Sequence, residues 1–144
     1  MHIELARTDA DLQRIVPVLR QLRAGFDAPA LIAQIKAQQP QGYRLAFVAA
    51  NDGRVLCVAG FVIATKLAWG RHLYVDDLVT DADARARGAG RLMMDWLKAH
   101  AREQGCVQLH LDSGVQRHDA HRFYLREGFR IASHHFSLDL TEPT

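Results

Sequence analysis

Three β-rich runs follow one another with only turn residues between them: "YRLAFVAA" from Tyr43, "RVLCVAGFVIATKL" from Arg54 and "RHLYVDDLVT" from Arg71. The first gap is Asn51-Asp52-Gly53, residues that tolerate positive φ, and the second contains Trp69-Gly70. Neither gap can hold a crossover, so consecutive runs must pair antiparallel as a meander. Directly afterwards "GAGRLMMDWLKAHAREQG" places Leu92, Met93, Trp96, Leu97 and His100 at helical spacing, with Gly105 as its stop. The short run "CVQLHLDS" that follows closes a strand-helix-strand crossover. A mixed sheet is therefore required.

The flanking segments extend this frame. "HIELAR" alternates as a strand, and Thr8 can cap a helix over "TDADLQRIVPVLRQLR" whose apolar stripe is Leu12, Ile15, Val16, Leu19 and Leu22. Pro17 removes an intrahelical hydrogen bond there and predicts a kink or an early restart near Arg14. "PALIAQIKAQQ" reads as a second helix. Near the other end, "RHDAHRFYLREG" is a helix stopped by Gly128, and "FRIASHHFSLDL" is expected to finish the sheet as a last strand, whole or split in two. The order is β-α-α-β-β-β-α-β-α-β. The fold class is α/β (α+β): a mostly antiparallel central sheet flanked by helices, in one domain over 144 residues.

Composition removes several function classes. A net charge of +2 argues against a nucleic-acid partner. No run approaches the roughly 20 apolar residues of a membrane span. The N-terminus "MHIELARTDADLQ" lacks a secretory layout, so the expected location is cytoplasmic, with no membrane partner. Cys57 and Cys106 lie in apolar runs without paired spacing and read as free thiols.

The local concentration of charge is at Arg85-Ala86-Arg87-Gly88-Ala89-Gly90-Arg91, between the third meander strand and the long helix. A helix N-terminus offers unpaired backbone N–H groups and partial positive charge. Glycine at 88 and 90 would let a bulky anion approach the backbone, and the three arginines would add charge-assisted bonds. The spacing is neither that of a P-loop nor that of the dinucleotide fingerprint. A diphosphate is the natural guest.

With this stretch, "VDDLVTDADARARGAGRLMMDWL" resembles the GNAT superfamily of acyl-CoA-dependent N-acetyltransferases. In that family an R/Q-x-x-G-x-G/A loop, matched by Arg85, Gly88 and Gly90, holds the coenzyme A pyrophosphate through backbone amides, and the strand before it, at Leu78, Val79 and Thr80, carries the pantetheine arm. "DAHRFYLREGFR" is similar to the family's A-x-x-F-Y-x-x-x-G-F helix, matched by Ala120, Phe123, Tyr124, Gly128 and Phe129. Arg117 departs from the pattern, standing where the family commonly has Asn; it could reach a phosphate, with Gln116 or His118 as substitutes. The resemblance implies acetyl-CoA as co-substrate and an amine as acceptor.

Acetyl transfer needs a neutral amine, a polarised thioester carbonyl and a proton for the thiolate. The resemblance assigns that proton to Tyr124. The N–H of Val79, at a splayed strand, is the expected oxyanion donor. Asp76 and Asp77 are adjacent on a strand and expected on opposite faces. "LYVDDLVT" is similar to the acidic strand of diamine and polyamine acetyltransferases, which makes Asp76, then Asp77, the expected base or amine anchor. A metal site would have to use His118 and His121 with Asp112 or the pair His134-His135; no strong metal spacing is present, and no metal is expected. The alternatives to a small-molecule or peptide amine acetyltransferase are a non-catalytic acyl-CoA sensor and a protein-amine acetyltransferase. An exposed last strand suggests a homodimer.

Overall fold

The computed structural model of the chain describes residues 1–141. Two compact units follow one another, residues 1–111 and the segment from Asp112 onward.

The first unit is a five-stranded sheet in the order β1-β2-β3-β4-β5. Its strands are β1 (His2–Leu5), β2 (Arg44–Ala49), β3 (Val55–Lys66), β4 (Gly70–Thr80) and β5 (Gln108–Leu111). The first four pair antiparallel, and β5 joins β4 parallel after the crossover helix α3 (Ala89–Glu103). Between β1 and β2 run α1 (Asp9–Leu22) and α2 (Ala28–Gln38).

Local chemistry explains these boundaries. Thr8 and Asp11 make a reciprocal capping box at the start of α1, satisfying two backbone donors that have no intrahelical carbonyl. Asp27 caps α2 by accepting from the N–H of Ala30, and Pro29 occupies the first turn, where a missing N–H costs nothing. Pro17 lies inside α1, yet the helix continues from Asp9 to Leu22 without the restart expected near Arg14. Burial of Leu12, Ile15, Val16, Val18 and Leu19 on both sides of the proline holds the helix together.

The faces of the sheet divide the core. Leu45, Phe47, Ala49 and Val58 pack against Leu12, Ile15, Leu19, Leu31 and Ile35 of α1 and α2. On the other face Phe61 meets the rings of Trp96 and His100 from α3, at centroid distances of 6.0 and 5.5 Å. Met93, Met94 and Leu97 of α3 are buried.

The second unit contains α4 (His118–Arg126), stopped by Gly128 at φ +95°. The last strand expected over "FRIASHHFSLDL" is absent among the described residues: 129–140 have no ladder partner, and Ile131, Phe136, Leu138 and Leu140 are exposed. Alternation alone does not make a strand, which needs a neighbour for its N–H and C=O groups. No helix of the described residues is long and apolar enough to cross a membrane.

Candidate active site

The ladder between β3 and β4 contains a β-bulge that reassigns faces. Phe61 pairs with Val75, but the next pair is Gly60 with Asp77, so Asp76 is the extra residue. Without it Asp77 would share the α3 face with Val75. With it Asp77 is turned to the α1 and α2 face. Asp76 remains exposed, whereas the Asp77 side chain is 13% exposed.

Asp77 is fully engaged. Its Oδ2 accepts from the phenol of Tyr43 at 2.6 Å, and its Oδ1 accepts from Nε of Arg23 at 2.7 Å. Nη2 of Arg23 also donates to the carbonyl of Asp76 at 3.0 Å, tying the residue after α1 to the bulge. Burial, then the charge of Asp77, pushes the Tyr43 phenol far above its ordinary value, so Tyr43 is a permanent donor. Desolvation raises the pKa of Asp76, the neighbouring Asp77 carboxylate adds to this, and Arg23 opposes it. Of the two carboxylates expected in the reaction, Asp76 is the one whose side chain ties no other element of the described residues in place, and its pKa moves in the direction a base working near neutrality requires.

At the same level the sheet opens. β5 accompanies β4 only from His72 to Val75, so from Asp76 to Thr80 the β4 edge has no ladder partner on that side among the described residues. The N–H of Asp81 donates to the carbonyl of Leu56, and because hydrogen-bonded pairs alternate in an antiparallel ladder, Val79 and Val58 form the next such pair. The donor expected at Val79 is therefore turned into the sheet. The N–H groups of Leu78 and Thr80 point to the open edge instead, a change of one residue set by register.

The basic loop is anchored from beneath. Asp81 is 8% exposed; its Oδ2 accepts from Nη2 of Arg54 at 2.7 Å and its Oδ1 from Nε2 of Gln21 at 3.1 Å. The Arg54 bond, then the Gln21 bond, holds its pKa below the usual carboxylate value. Gln21 also accepts from the N–H of Ala82 at 2.9 Å, opening a 3-10 turn over Ala82–Ala84 that separates the strand from the loop. Sequence reading missed this brace, since its parts lie on α1, the hairpin turn and the end of β4.

Beyond the brace, Ala86 is the only non-glycine residue with positive φ among the described residues, at +67°, and Gly88 follows at +84° as the N-cap of α3. Gly88 makes no side-chain cap, so the first N–H groups of α3, at Ala89, Gly90 and Arg91, lie beyond its intrahelical ladder. A Cβ on Gly88 would meet nothing within 4 Å, and one on Gly90 would meet only Thr80 Oγ1 at 3.4 Å. The requirement at 88 is thus the left-handed backbone and an open approach, not packing. Arg85, Arg87 and Arg91 are exposed around these amides. A pyrophosphate fits this combination of open backbone donors and three guanidinium groups.

The other site residues belong to the second unit. Arg117 is the N-cap of α4 and is exposed; Ala120 and Phe123 are partly buried. Tyr124 lies edge-on to Phe123 at 5.5 Å and to Phe129 at 5.9 Å. His121 is bonded through Nε2 to the carbonyl oxygen of Gly114 at 2.8 Å, and its ring is 5.9 Å from that of His118. His135 pairs with Asp112 at 3.1 Å. Among the described residues no three His, Cys, Asp or Glu side chains gather as a metal site.

The model of the acetyltransferase (GNAT) family matches residues 16–129, most of both units. The chain belongs to the GNAT family. A relative from Bacillus subtilis (strain 168), the uncharacterised N-acetyltransferase YhdJ, is 32% identical over 139 residues, covering 94% of this chain and 96% of the relative. The aminoalkylphosphonate N-acetyltransferase of Salmonella typhimurium (strain LT2) is 33% identical over 66 residues, 46% of this chain and 43% of that protein. Among solved structures, a probable acetyltransferase superposes with a TM-score of 0.84 at 18% identity, covering 99% of this chain and 100% of that one. The mixed sheet with flanking helices is thus the fold of this GNAT acetyltransferase.

Proposed function

We propose that the chain transfers the acetyl group of acetyl-CoA directly to a primary amine of a small molecule or peptide. The observation that carries this reading is the coincidence, on one strand, of an open edge beyond Val75 and a bulge that presents Asp76 beside it. The loop over Arg85, Ala86, Arg87, Gly88, Ala89, Gly90 and Arg91 would hold the pyrophosphate, and Leu78, Val79 and Thr80 would lie along the pantetheine arm, with Leu78 or Thr80 supplying the N–H donor. Arg117, Ala120 and Phe123 would complete the coenzyme side.

Acetyl-CoA supplies a thioester whose acetyl carbon becomes bonded to the amine nitrogen as the C–S bond breaks. An amine arrives as its ammonium form and must lose a proton before attack and another afterwards; Asp76 accepts the first through water, with Asp77 fixed beside it, and the second replaces the proton that the Tyr124 phenol gives to sulfur. Tyr124 returns a proton to the departing sulfur, its phenol being matched to a thiol leaving group. A covalent route through an acyl group on Cys57 is disfavoured. Cys57 is fully buried, and that burial pushes its thiol up to about 11. We read the two units as one catalytic domain, which the family match across both supports.

The acceptor is read as a small molecule because the relative matched over 66 residues is named as an aminoalkylphosphonate N-acetyltransferase. A cytoplasmic setting without nucleic-acid or membrane partners belongs to the same reading. So does a homodimer, supported by the exposed alternating Phe136, Leu138 and Leu140; light scattering on the wild type and on a Phe136→Ser, Leu138→Ser double variant tests it, and two equal monomers would remove it.

The deciding experiment is calorimetric titration with acetyl-CoA and, separately, with desphospho and pantetheine fragments, followed by thiol release against a panel of amines. Micromolar binding that needs the pyrophosphate, with release for some amine, is the expected result. Binding without release for any amine would favour a non-catalytic acyl-CoA sensor. Absence of binding would remove the cradle.

A further inference from the structure

We infer that the acceptor is zwitterionic, with a carboxylate or similar anion beside its amine, and that Arg23 is the residue that selects it. The inference rests on the transfer reading above and names the acceptor class of that same site.

Arg23 is held against the bulge by two bonds, Nε to Asp77 at 2.7 Å and Nη2 to the Asp76 carbonyl at 3.0 Å. A guanidinium has five N–H donors, so these bonds leave about three uncommitted. The side chain is 45% exposed while that of Asp77 is 13% exposed, so solvent reaches Arg23 far more than the carboxylate it holds. Tyr43 grips the other oxygen of Asp77 and is itself 3% exposed. That grip holds the Asp77 carboxylate in place, and so holds Arg23 in place.

Any ammonium that docks on Asp76 therefore docks beside a fixed cation. For a diamine this is unfavourable, because its second charge needs a carboxylate of its own. Across residues 20–42, which include Arg23, and residues 66–74, which lead into the bulge, Asp27 is the only acidic residue. Its Oδ1 already accepts from the N–H of Ala30 at 2.8 Å to cap α2. An acceptor with an anion a few bonds from its amine meets the opposite situation: its ammonium faces Asp76 and its anion can take the uncommitted fork of Arg23, a geometry that suits planar carboxylates. The Tyr43-Asp77-Arg23 chain is then a positioning device that presents one free carboxylate and one free guanidinium edge.

The test is a thiol-release assay with acetyl-CoA, comparing glycine and β-alanine with glycinamide, β-alaninamide and putrescine, in wild type, Arg23→Gln and Arg23→Lys. In the wild type, kcat/KM for the better amino acid should exceed that of its amide by about 10-fold or more, the scale of one charge-assisted hydrogen bond. In Arg23→Gln that ratio should collapse toward one, chiefly through KM, and Arg23→Lys should restore part of it. Equal wild-type rates for acid and amide, a preference for putrescine, or a ratio that survives Arg23→Gln would overturn the acceptor class while leaving acetyl transfer intact. Should Arg23→Gln fail to fold, the wild-type ratio and the Arg23→Lys KM still decide. Binding of acetyl-CoA without release from any amine would overturn the transfer reading, and this inference with it.

Discussion

The phenol of Tyr43 reaches Asp77 by crossing β3 directly above Gly60, where a Cβ would stand 1.9 Å from the phenolic oxygen and 2.5 Å from the ring carbon bearing it. A glycine in the middle of a strand usually weakens it, so its presence here has a specific cause: the backbone must leave room for a neighbouring side chain. Gly60→Ala should destabilise the fold by about 1–3 kcal/mol, as overpacking of a well-filled core does. Thermal melts would show the loss. An unchanged melting temperature would mean that the phenol leaves Asp77 without penalty.

Gly88 is constrained differently. With nothing near a hypothetical Cβ, the cost of Gly88→Val to the fold is mainly that of a β-branched residue at φ +84°. The expected destabilisation is about 1–2 kcal/mol. Acetyl-CoA affinity should fall much further, by about 100-fold or more, because the side chain would occupy the approach to the α3 amides. Calorimetry beside a melting curve separates the two effects, and normal affinity would discard the cradle.

The difference between these two glycines marks what could be read from the chain alone. The loop glycines announce themselves through their neighbours: arginines on either side, a strand before and an amphipathic helix after. Thr8 with Asp11 likewise declares the start of α1 over four consecutive residues. Gly60 lies in an apolar run, and its reason is Tyr43, on another strand. The bulge at Asp76 is also hidden, because adjacent residues predict opposite faces only while the ladder is regular. That irregularity turns Asp77 toward Tyr43 and, by register, transfers the open-edge N–H from Val79 to Leu78 and Thr80. The brace of Gln21, Arg54 and Asp81 is nonlocal in the same way. The missing last strand is the reverse case, a local alternation with no partner to pair with.

Cys57 offers a pH signature of the core. Desolvation raises its thiol from 9.0 to about 11, with the Thr80 hydroxyl at 3.7 Å opposing the shift. Because the folded value is the higher one, the stabilising contribution is fully present below pH 9.0 and declines as pH rises through about 11. At about 1.4 kcal/mol per pK unit, the decline is at most about 3 kcal/mol. Urea unfolding of Cys57→Ala and wild type from neutral to alkaline pH should show a steeper loss in the wild type between about pH 9 and 11, on top of the alkaline loss that both share from the buried Tyr43 phenol. Parallel curves would remove Cys57 as its source.

Tyr124 tests the second unit. Its ring is bracketed by those of Phe123 and Phe129, contacts that Tyr124→Phe retains. The variant should therefore fold and bind acetyl-CoA about as well as wild type, while kcat falls about 10- to 1000-fold through loss of the proton donor. Unchanged turnover would remove the phenol from the reaction.

Asp76 and Asp77 should separate in a similar comparison. Asp77 holds Tyr43 and Arg23, so Asp77→Asn should lower the melting temperature and disturb the acceptor side together. The Asp76 side chain is exposed on the bulge and holds neither, its bond to Arg23 being made by the backbone carbonyl that Asn keeps, so Asp76→Asn should leave stability within about 0.5 kcal/mol of wild type, as for other surface changes. Its effect should fall on rate. A base must be deprotonated to work, so wild-type kcat/KM should decline as pH falls through the Asp76 pKa, which desolvation and the charge of Asp77 raise above the ordinary carboxylate value. That acid limb should disappear in Asp76→Asn, leaving a lower and flatter profile. If the limb persists there and vanishes in Asp77→Asn, the two carboxylates exchange roles, and Arg23 would then be a partner of the base itself.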